Sequence, residues 1–170
     1  KHFQYTEATI SPRPAQDPLP CWIGGSARAA VERTVNYGTG WQASFQTPEE
    51  AGKVVADIMQ YAKEQGKHMD PDHMGMGFGV RFGSWDDPIV RQAASAFEKR
   101  SGRDPKTGMA VGDAEDILEM IWSYIPHGIS KFVLRPIGDG DEEMMMQSRR
   151  IIDEVLPYAK VFTERRKMAS

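Results

Sequence analysis

The residues best placed to do chemistry lie in the run Trp22-Ile23-Gly24-Gly25-Ser26-Ala27-Arg28-Ala29-Ala30, where a short apolar stretch meets two glycines and then a helix-forming segment. Glycine lets a backbone come close to a ligand, and the free N–H groups of a helix's first turn attract an anion. Gly24, Gly25 and Ser26 could therefore hold a phosphate, with Arg28 nearby. The same residues also fit a tight turn with a serine N-cap and a surface arginine. Arg135 follows a second apolar run, Lys131-Phe132-Val133-Leu134, and precedes Pro136. It fits a phosphate, an acidic substrate or plain solvent. Arg81 falls inside a strand-like segment, where a charged side chain must find a partner or an opening.

Other reactive residue types assemble no known device. His2, His68, His73 and His127 show no metal-binding spacing, and no Ser/His/Asp or Cys/His nucleophile arrangement can be defended. The carboxylates of Asp139-Gly140-Asp141-Glu142-Glu143 stand where a helix start favours negative charge. Cys21 is the only cysteine, which excludes an internal disulfide and argues against a thiolate metal centre. A reducing cytoplasm fits that count. No catalytic residue and no metal site is assigned.

The elements that must position these residues follow from pattern. Pro12, Pro14, Pro18 and Pro20 predict an extended lead-in over residues 1–20. Strands are expected at Cys21–Ile23, Gly40–Phe45, Met76–Phe82 and Lys131–Leu134. Helices are expected from Ala27, capped by Ser26; from Pro48, with Thr47 and Glu50 as a capping box; from near Asp87-Pro88; from Asp113, with Ile117, Leu118, Ile121 and Trp122 buried; and from Glu142 to Leu156. Residues 159–170 read as a tail. The order is four βα units with one extra helix in the third connection. Such alternation implies a parallel sheet, compatible with a doubly wound sheet or half of a (β/α)₈ barrel.

Bulk properties agree with a folded domain. The 170 residues are 40% hydrophobic and 26% charged with a net charge of −3, giving no reason to expect nucleic acid or an anionic membrane as partner. No apolar run is long enough for a membrane-spanning helix.

The chain resembles the luciferase-like monooxygenases. The likeness is carried by His2-Phe3-Gln4-Tyr5, Pro12-Arg13-Pro14, Leu19-Pro20-Cys21-Trp22-Ile23-Gly24-Gly25-Ser26, Gly38-Thr39-Gly40-Trp41, Thr47-Pro48-Glu49-Glu50 and Gly128 to Pro136. It departs at Thr39, where the family usually has aspartate, at Cys21, and in length, since family members are about twice as long. The resemblance implies that residues 21–158 are the C-terminal half of a (β/α)₈ barrel. It implies an oxidoreductase using reduced FMN or, alternatively, the deazaflavin coenzyme F420, acting on a small molecule. Gly24, Gly25 and Ser26 would then hold the cofactor phosphate, and Trp41 and Arg135 would face the pocket. The flavin-ring contacts would lie mainly in an N-terminal half, so the expected partner is that half-barrel or a second copy of this chain, covering an apolar inner face. A non-catalytic half-barrel that binds or assembles is the reading from another class.

Overall fold

A computed structural model of the chain describes residues 3–9, 11–17 and 19–158. The expected tail, including Arg165, Arg166 and Lys167, lies outside the described residues, as do His2 and Pro18. The described part of the lead-in holds neither helix nor strand. From there the chain alternates: β1 (Trp22–Gly24), α1 (Arg28–Tyr37), β2 (Gly40–Ala43), α2 (Pro48–Glu64), β3 (Met74–Phe82), α3 (Pro88–Ser101), β4 (Met109–Gly112), α4 (Ala114–Tyr124), β5 (Lys131–Pro136) and α5 (Gly140–Arg150), which runs on into a π-helical turn at Ile151–Val155.

Local chemistry explains most boundaries. The Thr47 hydroxyl accepts the Glu50 N–H while the Glu50 carboxylate accepts the Thr47 N–H at 3.0 Å, closing the expected capping box of α2. Asp113 and Asp116 do the same for α4. Its buried stripe is Ile117, Leu118, Ile121 and Tyr124; Trp122 points outward instead, because Tyr124 completes the helical spacing from Ile117 and Ile121. Beyond these elements, β4 was not anticipated. Met109-Ala110-Val111-Gly112 is only four residues long, too short for a period to register.

All strand pairings are parallel. β1, β2, β3 and β5 lie side by side in chain order. β5 covers Gly75–Val80 on one edge of β3. The opposite edge is shared, with β2 along Met74–Met76 and β4 along Gly79–Phe82. A doubly wound sheet would reverse strand order at a switch point; here β1, β2, β3 and β5 run on in order, as in the wall of a barrel, and only the short β4 doubles back beside the end of β3.

β3 is the pivot because its two faces differ so sharply. Met74, Met76, Phe78, Val80 and Phe82 are buried against α1, α2, α4 and the π-helical turn, in a core that also takes Trp41, Ile58, Ile117, Tyr124 and Ile129. Each of these large side chains contributes roughly 1.5–3 kcal/mol by leaving water. The alternate residues Gly75, Gly77, Gly79 and Arg81 face the other way, onto what would be a barrel's interior. Met109 and Val111 stand on that inner side too. They join Val90 and Phe97 of α3 in a second, smaller apolar cluster over the C-terminal end of the sheet.

The inner face is mixed rather than wholly apolar: beside that cluster its floor is glycine, Trp22, Gln42, Lys131, Val133, Arg135 and Ile137, and the glycine row lets long side chains lie flat across β3. A Cβ on Gly75 would strike Gln42 and Trp22, and one on Gly77 would come within 3.2 Å of Arg135 Nη1. No helix among the described residues is long and apolar enough to cross a membrane.

Candidate functional site

The glycine corner between β1 and α1 is open. Gly24 through Ala29 are exposed, and Gly25 adopts φ 98°, a backbone that favours glycine. A Cβ there would also crowd the Ala30 methyl at 3.2 Å. Ser26 does not cap α1, contrary to expectation. The N-cap is Ala27, which has no side-chain oxygen, so no side chain covers the first turn. The carbonyl of Ala27 takes the N–H groups of Ala30 and Val31, while those of Arg28 and Ala29 have no partner among the described residues. Arg28 leans away, pairing with Glu32 at 2.9 Å and resting over the Tyr61 ring.

Trp41 does not face this opening. It is fully buried on the helix side of the sheet, because in β2 the inward positions belong to Gly40 and Gln42. Its indole N–H donates to the Gly25 carbonyl at 2.7 Å. The residue expected to line the pocket instead braces the corner from behind.

Arg135 does reach the inner face. Its Nη2 donates to the Gly77 carbonyl at 3.1 Å, and its Nε and Nη1 have no hydrogen-bond partner among the described residues. Burial first, and then the charge of Arg100, push its pKa below the ordinary arginine value. Around it opens a cleft of about 500 Å³ lined by Gln42, Ala43, Ser44, Phe45, Arg100, Val133 and Arg135. Gln42 joins this cleft to the corner: it is Gly24's neighbour across β1 and β2, and its amide passes beside Gly77. Sequence reasoning missed Gln42 and Arg100. The signal for Gln42 was available in the alternation of Met-Gly-Met-Gly-Phe-Gly along β3, which marks a face kept clear for side chains from neighbouring strands.

The remaining candidates are structural. Arg81 found partners: Asp87 at 3.1 Å, Glu143 at 2.7 Å and the Ile137 carbonyl at 2.9 Å. Burial opposes its charge, but the two carboxylate bonds outweigh that and raise its pKa. Asp141, Glu142 and Glu143 occupy the first turn of α5. His73 Nδ1 donates to the Thr39 carbonyl at 2.8 Å, beside the Trp22 ring. Among the described residues no group of His, Cys, Asp and Glu could hold a metal ion.

Sequential parallel strands, helices packed on the outer face except α3, and a glycine corner and arginine cleft at the strands' C-terminal ends define half of a (β/α)₈ barrel. The sequence profile of the luciferase-like monooxygenases matches residues 1–108, and the chain belongs to that family. A search of curated proteins finds no match. Among solved structures, the monooxygenase RslO1 from Streptomyces bottropensis is similar at 17% identity and a TM-score of 0.68, over 93% of this chain and 54% of that one. An F420-dependent secondary alcohol dehydrogenase, solved with an F420–acetone adduct, has 18% identity and a TM-score of 0.66, over 90% and 53%. The EDTA monooxygenase from Chelativorans sp. BNC1 has 14% identity and a TM-score of 0.62, over 95% and 49%. At such identities the likeness establishes the fold. The chain spans about half the length of these proteins.

Proposed function

We propose that this chain supplies the cofactor-phosphate side of the active site of a luciferase-like, flavin-dependent monooxygenase acting on a small molecule. The carrying observation is the exposed, uncapped first turn of α1 behind Gly24, Gly25 and Ser26, braced by Trp41. Backbone N–H groups and a serine hydroxyl there suit the phosphate of reduced FMN, and the missing Cβ at Gly25 leaves the approach clear. When bound, the flavin would supply the redox chemistry; the residues of this chain would anchor it, orient it and exclude water. The groups that touch the isoalloxazine ring would come from a second half-barrel, whose strands would pair with the open edges of β1 and β5.

A second reading keeps the same corner but gives it coenzyme F420, making the parent enzyme a reductase or dehydrogenase. It is favoured by the likeness to the F420-dependent alcohol dehydrogenase. Titration with FMN, reduced and oxidised, with riboflavin, and with F420 separates the readings. FMN should bind about ten- to a hundredfold more tightly than riboflavin, the worth of one charge-assisted phosphate contact. Gly25→Val should erase that difference. Equal binding of FMN and riboflavin would remove the corner from the site. Failure of every flavin to bind, with or without a complementing half-barrel, would leave the non-catalytic module.

A further inference from the structure

We propose that the Arg135–Arg100 cleft is a separate subsite for an organic anion, a carboxylate or sulfonate on an apolar body, and that the substrate of the proposed enzyme carries such a headgroup. This rests on the functional reading above but uses different residues from the cofactor corner. Arg135 is the guanidinium of the inner face that faces open space. Its Nη2 is pinned by the Gly77 carbonyl at 3.1 Å, which fixes the plane of the fork, while Nε and Nη1 stay available. A planar fork held in place, with the second Nη2 hydrogen beside either Nε–H or Nη1–H, matches the two oxygens of a carboxylate or sulfonate. Arg100 reaches the same cleft from the last turn of α3 and lies over the Phe45 ring at 5.4 Å.

Two like charges share one cleft, and no carboxylate among the described residues lies within ion-pair distance of either. Arg81, on the same face, is by contrast fully neutralised by Asp87 and Glu143. A basic residue ending a helix is ordinarily explained by the dipole. Lys99 serves that need in α3, whereas Arg100 is the one directed at Arg135's cleft. The walls then set the rest of the ligand: Phe45 and Val133 are apolar, and Gln42 and Ser44 add neutral polar contacts on the side toward Gly24. The volume of about 500 Å³ is in the range for a small organic molecule.

The test is calorimetric titration of the 170-residue chain with hexanesulfonate, hexanoate and hexanol, beside Arg135→Gln, Arg100→Gln and Gly25→Val. The two anions should bind and hexanol should not. Each arginine variant should weaken the anions about ten- to a hundredfold. Gly25→Val should leave anion binding unchanged, so a failed cofactor corner and a failed anion subsite are told apart. Arg100→Gln guards against misfolding, since Arg100 is exposed and outside both cores. The inference is overturned if hexanol binds as well as hexanoate, if no anion binds, or if Arg100→Gln binds like the parent chain. It is also overturned if FMN displaces hexanoate competitively, because the cleft would then seat the cofactor's phosphate.

Discussion

Gln147 is the most informative residue to replace. It is a fully buried polar side chain on α5, and its carboxamide does the work of a missing strand: Oε1 accepts the Phe82 N–H at 2.8 Å and Nε2 donates to the Phe82 carbonyl at 3.0 Å. β5 has ended at Pro136 by then, so β3 would otherwise finish with two unpaired backbone groups inside the core. Gln147→Leu keeps the side chain's size and removes both bonds. Each orphaned group costs about 1–3 kcal/mol, against which leucine returns roughly 1 kcal/mol of apolar burial. The net loss should be about 1–5 kcal/mol, read as a lower urea midpoint at unchanged m-value. Hydrogen exchange localises it: the Phe82 amide should lose protection while Met76 and Phe78 keep theirs relative to the global value. Gln147→Glu can still accept the N–H but must be protonated to donate. Its folded-state pKa is thereby raised, so its stability should be best at low pH and fall as pH rises through that value. A Gln147→Leu protein that unfolds at the parent midpoint would refute the ladder argument outright.

Three further outcomes follow from the same structure. Arg81 holds the Asp87 carboxyl below its ordinary pKa and adds to the effect of the Asp139 N–H on Glu143. Stability from these groups is complete above the ordinary carboxylate range and is lost as pH falls through the lowered values. Arg81→Gln should flatten that acid limb in thermal melts, most of it through Asp87, and an unaltered limb would contradict the assignment. Tyr124 is buried with its hydroxyl donating to the Gln46 carbonyl at 2.8 Å; burial first, then the charges of Glu49 and Glu50, push its pKa up to about 12. The stability it adds is present below the ordinary tyrosine pKa of about 10 and disappears as pH rises through the folded-state value. In ultraviolet titration one of the five tyrosines should ionise late, and Tyr124→Phe should delete that phase alone. Thr47→Ala opens the capping box of α2 and should cost about 0.5–2 kcal/mol in urea unfolding, with no change meaning the box is idle.

What the sequence revealed, and what it hid, divides along physical lines. Signals confined to a few adjacent residues were readable: the Thr47–Glu50 box, the Pro88 start of α3, and the strand-to-helix corner at Gly24-Gly25. Facts that depend on which side of a sheet a residue faces were harder. Trp41 is beside the corner in space, yet the pleat of β2 turns it away from the opening, and a one-residue offset decides between the two. Arg100 was out of reach because α3 crosses to the inner face, a placement set by tertiary packing of Val90, Phe97, Met109 and Val111 rather than by any local pattern. The missed strand β4 belongs to the same excursion.

That excursion and the glycine row together say what kind of interior this wall makes. A (β/α)₈ barrel closes over layers of inward side chains, and its interior is as densely packed as any core. β3 offers none at Gly75, Gly77 and Gly79, and the space above them is taken by side chains of the neighbouring segments, among them Trp22, Gln42, Val133, Arg135 and Ile137. Any closed barrel built on this wall must therefore draw its bulk from the opposite strands or from a bound molecule. Substituting a large residue on the glycine row would lift Arg135 and Gln42 off the floor, closing the cleft from below. The row thus sets how deep the cleft can be, as the side chains along its rim set its charge.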